Sequence, residues 1–136
     1  MTQEDRLGAA WDYARSYYKD AEVEREFEML AELQPEVFAS YMSMRQGLFK
    51  VPPDGALDRK TKELVILGIE LMGRKTNPPP VGHTRKAIEA GATPREISEV
   101  VGLAIMLGGM VTFRESGRFV LREAKEHAER IGSGNG

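Results

Sequence analysis

An all-α fold is the class this sequence predicts, on three observations. Apolar residues return at helical spacing along most of the chain, no stretch alternates convincingly as a strand, and proline or glycine stands at the expected boundaries. A chain of 136 residues, 41% hydrophobic and 29% charged, has the composition of an ordinary globular domain. One helical domain of about six to seven helices is therefore expected over residues 1–131, with a flexible tail at 132–136.

Glu4 to Asp20 place Leu7, Ala10, Trp11, Ala14, Tyr17 and Tyr18 on one helical face, an aromatic packing stripe. Val23, Phe27 and Leu30 repeat the pattern in a second, shorter helix. Pro35 opens a third, running to about Phe49, because a missing N–H costs little at the first helical position. Val37, Phe38, Tyr41, Met44 and Leu48 are its expected inward residues. Val51 to Gly55 reads as a loop, and Asp58 as the cap of the next helix, which runs to Gly73. Leu64 to Ile69 has no polar face, so this helix is expected to be central and buried. Asn77 to Pro80 forbids regular structure until a short helix at Val81 to Ala90, ended by Gly91. Thr93, Pro94 and Glu96 form a strong helix start with a capping box. Ile97, Val100, Val101, Ala104, Ile105 and Leu107 follow as its buried side. Gly108 and Gly109 break the run before a long terminal helix.

A formal net charge of −2 with interspersed signs gives no broad field for nucleic acid or an anionic membrane, so neither is expected as a partner. No apolar run reaches the roughly 18 to 20 residues that span a bilayer, and residues 1–5 lack a signal-peptide layout; a cytoplasmic location is the expectation. Cysteine is absent and His83 and His127 are the only histidines. Thiolate sites, disulfides and thiol nucleophiles are thereby excluded, and no metal is expected.

Glu63 and Glu70 are the charges within an otherwise apolar helix, seven residues apart and so on nearly the same face. A carboxylate there needs a partner or a wet cavity. Glu70 has Arg74 one turn on for a surface ion pair; Glu63 has only the basic residues at 59, 60 and 62 nearby. His83, in the first turn of its helix, reads either as a satisfied structural group or as a functional one. A glutamate on a buried helix, a rigid proline turn and a histidine at the next helix start would bring Glu63 and His83 together as an acid/base pair. Tyr41 and Arg45 share a face with Phe38, where the arginine either reaches water along its stem or receives a carboxylate. His127 and the cluster Arg114, Glu115 and Arg118 read as solvated surface.

The stretch Asp58-Arg-Lys-Thr-Lys-Glu-Leu-Val65, followed by His83-Thr-Arg-Lys-Ala-Ile-Glu-Ala-Gly-Ala-Thr-Pro-Arg-Glu-Ile97, resembles the carboxymuconolactone decarboxylase and alkylhydroperoxidase D-like family over roughly residues 30 to 125. The resemblance implies helical subunits assembled as trimers or hexamers, with sites near subunit contacts. It also implies that Glu63 and His83 occupy the proton-relay positions of the hydroperoxidase branch. That branch carries a CxxC pair where this chain has Lys75 to Pro80, so the resemblance does not extend to peroxide chemistry. The decarboxylase branch implies a lyase, without cofactor, for a small carboxylated lactone or aromatic ring-cleavage product. On that reading His83 is the general acid and Glu63 orients it. Arg45 or Arg85 holds a substrate carboxylate, with Tyr41 and Glu70 completing the binding set. A non-catalytic ligand-binding or scaffold protein of the same fold is the competing class.

Overall fold

The computed structural model describes residues 1–18, 21–73 and 80–135, and every regular element among them is helical. Where one domain is expected over 1–131, the contacts within the chain gather into two compact units, Met1–Ala56 and Leu57–Gly136.

The first unit holds α1 (Gln3–Tyr17), α2 (Ala21–Leu33) and α3 (Pro35–Leu48). Thr2 starts α1 with a reciprocal cap: its hydroxyl accepts from the Asp5 N–H, and the Asp5 carboxylate accepts from the Thr2 N–H, both at 3.0 Å. α1 and α2 both pack on α3, burying Ala10, Ala14, Phe38, Ala39 and Met42. The aromatic stripe does pack: the Trp11 and Phe27 rings lie 4.7 and 5.9 Å from that of Phe38.

The inward face of α3 differs from the expected one. Phe38, Ala39, Met42 and Arg45 are buried, whereas Val37, Tyr41, Met44 and Leu48 are exposed. The helix carries two apolar stripes, and the buried one ends in a cation. A reading that assigns arginine to water selects the other stripe.

The second unit holds α4 (Arg59–Met72), α5 (Val81–Glu89), α6 (Pro94–Gly108), the single turn α7 (Met110–Thr112), a π-helical turn at Phe113–Gly117, and α8 (Arg118–Asn135). The expected caps form. Asp58 accepts from the Thr61 N–H at 2.8 Å, and Thr93 and Glu96 close their capping box at 3.1 Å in each direction. Gly91 ends α5 at φ +103°, and Gly109 breaks the chain after α6 at φ +85°, backbone conformations that L side chains adopt at a cost. α4 packs on α5 and α6, and α8 packs on the same two helices. Leu67, Leu71, Ala87, Ile97, Val101, Val120 and Ala124 are sealed between them.

α4 is less buried than its sequence suggests. Its Val65 and Ile69 are exposed, as are Leu103 and Leu107 of α6, although Leu107 is expected inside. Two helices thus present apolar surface that this unit does not itself cover. The terminal helix runs to Asn135, past the position at which a tail is expected. His127, expected in solvent, is largely covered: its Nε2 lies 3.1 Å from Glu89 and its Nδ1 the same distance from Arg130.

Burial of this kind sets a stability contrast on one helix. Leu67→Ala should lose about 2 to 5 kcal/mol, because the methyl groups it removes leave a cavity in a filled core, whereas Val65→Ala, on the face this unit leaves open, should fall within about 0.5 kcal/mol of wild type when both are measured as single chains. Urea unfolding followed by circular dichroism measures both.

Candidate acid/base site

α4 supplies two carboxylates to the site and α5 supplies one imidazole. Glu63 and Glu70 project from one face of α4, as their seven-residue spacing requires, and that face meets α5. α5 starts immediately after Pro80, whose carbonyl accepts from the Thr84 hydroxyl at 2.8 Å. His83 therefore lies in the first turn, where its ring reaches back to α4.

The Glu63 side chain is 0% exposed, and both of its oxygens are engaged. Oε1 accepts from Arg59 Nε at 2.9 Å, one turn earlier on the same helix. Oε2 lies 2.7 Å from His83 Nδ1. Burial pushes the Glu63 carboxyl up, but the hydrogen bonds and charges of His83 and Arg59 outweigh it and hold the group below its ordinary value. An ionised Glu63 fixes the proton on Nδ1, leaving Nε2 as the ring's working nitrogen.

That second nitrogen faces Glu70, with Nε2 at 3.3 Å from Glu70 Oε1. At that distance the ring nitrogen and the carboxyl can share a hydrogen bond. His83 side-chain exposure is 23%, and its edge can be reached from outside. The cluster is thus an imidazole held between two carboxyl groups beside solvent, with a buried anion behind it. Because Glu63 and Glu70 take opposite ring nitrogens, the three groups cannot converge on one ion. Among the described residues no group of three or more histidines and carboxylates is placed to hold a metal.

Of the residues singled out in the sequence, Glu63, Glu70 and His83 come together. Arg85 does not join them. Two residues along α5 from His83, it points about 200° away and donates from Nε to Glu123 of α8 at 2.6 Å. Tyr41 and Arg45 belong to the first unit, where Arg45 is buried among aromatic rings. Arg74, the expected partner of Glu70, lies outside the described residues, as do Lys75 to Pro79, where the resembling redox enzymes carry sulfur. Arg59 was the missed member; the one-turn spacing rule for ion pairs identifies it, since it stands four residues before Glu63.

A groove of about 610 Å³ between α4 and α6, lined by Leu64, Val65, Ile69, Met72, Val100 and Leu103 among others, is separate from this cluster. Val65, Ile69 and Met72 lie on the side of α4 opposite Glu63 and Glu70.

Comparison with known proteins bears on the family and the fold. The sequence model of the carboxymuconolactone decarboxylase family matches residues 35–123. A crystal structure from Burkholderia xenovorans LB400, provisionally named a carboxymuconolactone decarboxylase, superposes with a TM-score of 0.77 at 29% identity, covering 97% of this chain and 98% of that one. Among curated proteins, none matches the chain.

The depressed Glu63 carboxyl has a signed consequence for stability. Its favourable contribution should be fully present above the ordinary value of 4.5 and be lost as pH falls through the lower folded value. Glu63→Ala should cost on the order of 3 kcal/mol at pH 7, since it empties a buried site and takes the acceptor from His83 Nδ1, and that difference should shrink steadily below pH 4.5. Thermal melts of both proteins across pH 3 to 7 read the gap; a gap independent of pH would mean that Glu63 is not ionised in the folded protein.

Proposed function

This chain belongs to the carboxymuconolactone decarboxylase family, and on that premise we propose that it is a cofactor-independent lyase whose acid/base group is His83. The substrate class is a small carboxylated lactone or a related aromatic ring-cleavage acid. The observation that supports this most directly is His83 bracketed by carboxylates, with Glu63 at 2.7 Å on Nδ1 and Glu70 at 3.3 Å on Nε2.

The chemistry asks little more of the protein. When an unsaturated lactone loses carbon dioxide from its γ-carbon, the electron pair of the breaking C–C bond flows through the ring double bond into the lactone carbonyl. A dienolate results. Its carbon then takes a proton while the carbonyl reforms, so the net change is carbon dioxide out and one proton in. His83 Nε2–H is the donor in this reading, and ionised Glu63 keeps the ring oriented through Nδ1. Glu70 returns a proton to Nε2 between turnovers. With no cysteine in the chain, peroxide reduction through a thiolate has no nucleophile here.

We further propose that the protein works as a homo-oligomer. The apolar groove and the exposed Ile69, at 66%, and Leu107, at 74%, form a contiguous surface of the kind that subunit contacts cover. Ile69→Glu is then expected to lower the mass measured by light scattering toward that of one chain; an unchanged mass would place the contact elsewhere.

The catalytic proposal is tested with purified protein and carboxymuconolactone, following carbon dioxide release. His83→Gln should reduce turnover at least about 100-fold, the usual worth of a positioned general acid, with its melting temperature close to wild type. Equal turnover in the two proteins would remove His83 from the mechanism. Saturable lactone binding with carbon dioxide at background would identify a binding protein instead.

A further inference from the structure

Arg45 is a buried cation whose strongest hydrogen-bonding edge is unused. The residue is 9% exposed. Its Nε and Nη2 atoms are closed to solvent and have no hydrogen-bond partner among the described residues. An arginine cannot shed its charge at any physiological pH, and a buried charge without an anion is costly. The vicinity supplies only partial compensation. Arg45 Cζ lies 4.1 Å from the Tyr17 ring centroid, 4.4 Å from that of Phe49 and 5.1 Å from that of Tyr18. These ring faces attract a cation, yet none accepts from the Nε–Nη2 edge. Nor does the chain make a phenolate to serve as counter-ion, because burial pushes the Tyr18 hydroxyl above its ordinary value of 10.0.

The rings also have a direction. Those of Tyr17 and Phe49 are 5.4 Å apart, and those of Tyr17 and Tyr18 are 4.9 Å apart. Rings that sandwiched the guanidinium at these distances from Cζ would stand about 8 Å or more from each other, so they close one corner around it. What remains is the planar fork. Nε–H and Nη2–H are the parallel donor pair that matches two oxygens of a carboxylate side-on.

We propose that Arg45, with Tyr17, Tyr18 and Phe49, forms a carboxylate-binding site for a small planar acid with an unsaturated or aromatic body. The carboxylate takes the Nε–Nη2 fork, and the body of the acid lies among the rings. Tyr41, one turn before Arg45 and 37% exposed, hydrogen-bonds Tyr18 and forms the outer edge of the cluster; its displacement admits the acid. The inference rests on residues 1–56 alone and is independent of the role assigned to His83.

Benzoate is the probe, titrated into the full-length protein at constant ionic strength and followed by calorimetry and by the melting temperature. Saturable binding that raises the wild-type melting temperature is expected. Arg45→Lys, which keeps the charge and loses the fork, should weaken it at least tenfold, and His83→Gln should leave it unchanged. Binding that survives Arg45→Lys and Arg45→Met, or that is lost in His83→Gln, would overturn the assignment. So would equal saturation by inorganic phosphate, or no benzoate binding by the wild type, in which case Arg45 is only a packing residue.

Discussion

The Glu63 carboxylate is the constraint from which the second unit is organised. An ionised carboxyl with no exposure is tolerable only if both oxygens are answered, and here one answer comes from its own helix and the other from the next. Arg59 is available locally, one turn away. His83 is not, and it is brought to Glu63 by the packing of α5 on α4. The need to satisfy one buried anion therefore fixes the spacing of two helices and, with it, the orientation of an imidazole whose far nitrogen faces Glu70 and the solvent. Structural satisfaction and proton handling are the same set of contacts seen from two sides.

α4 is asymmetric in a way that separates its tasks. One face carries Glu63 and Glu70 toward α5; the opposite face carries Val65, Ile69 and Met72, which remain open. An unbroken apolar run is consistent with a helix wrapped by its own domain, and equally with a helix wrapped on one side by its domain and on the other by something else. The charged face settles what the first side does. Its counterpart in the first unit is α3, which also carries apolar residues on two faces and also buries a charge, in Arg45.

Much of this was legible in the sequence. Caps at Asp58 and Thr93 follow from hydrogen-bonding side chains at fixed offsets, breaks at Gly91 and Gly109 from the need for positive φ, and the meeting of Glu63 with His83 from helical phase and a short connection. These are local rules, and they transfer without tertiary information. What failed to transfer was burial. The sequence leaves Arg45 either reaching water along its stem or receiving a carboxylate, and the ring corner that shelters it is contributed by the end of α1 and the end of α3, out of reach of any periodicity argument. His127 was misassigned for a related reason: its neighbours in sequence are all charged, but its neighbours in space are Glu89 and Arg130. The resemblance implies a substrate-carboxylate role for Arg85, but the carboxylate that Arg85 holds in the structure belongs to the chain's own α8.

α5 has nine residues, too few to be helical in isolation, since an unsupported helix of that length does not offset the cost of its own nucleation. It is held on one flank by Glu63 and Glu70 and on the other by Glu123 and Glu89, which grip Arg85 and His127 between α5 and α8. The imidazole thus rides on a segment with little autonomous stability. Hydrogen-exchange protection of the α5 amides would therefore report on the competence of the site, because a subglobal opening that released α5 would disperse the proton relay before the rest of the unit had unfolded. The proposed acid/base pair is assembled only for the fraction of time that this one short helix is closed.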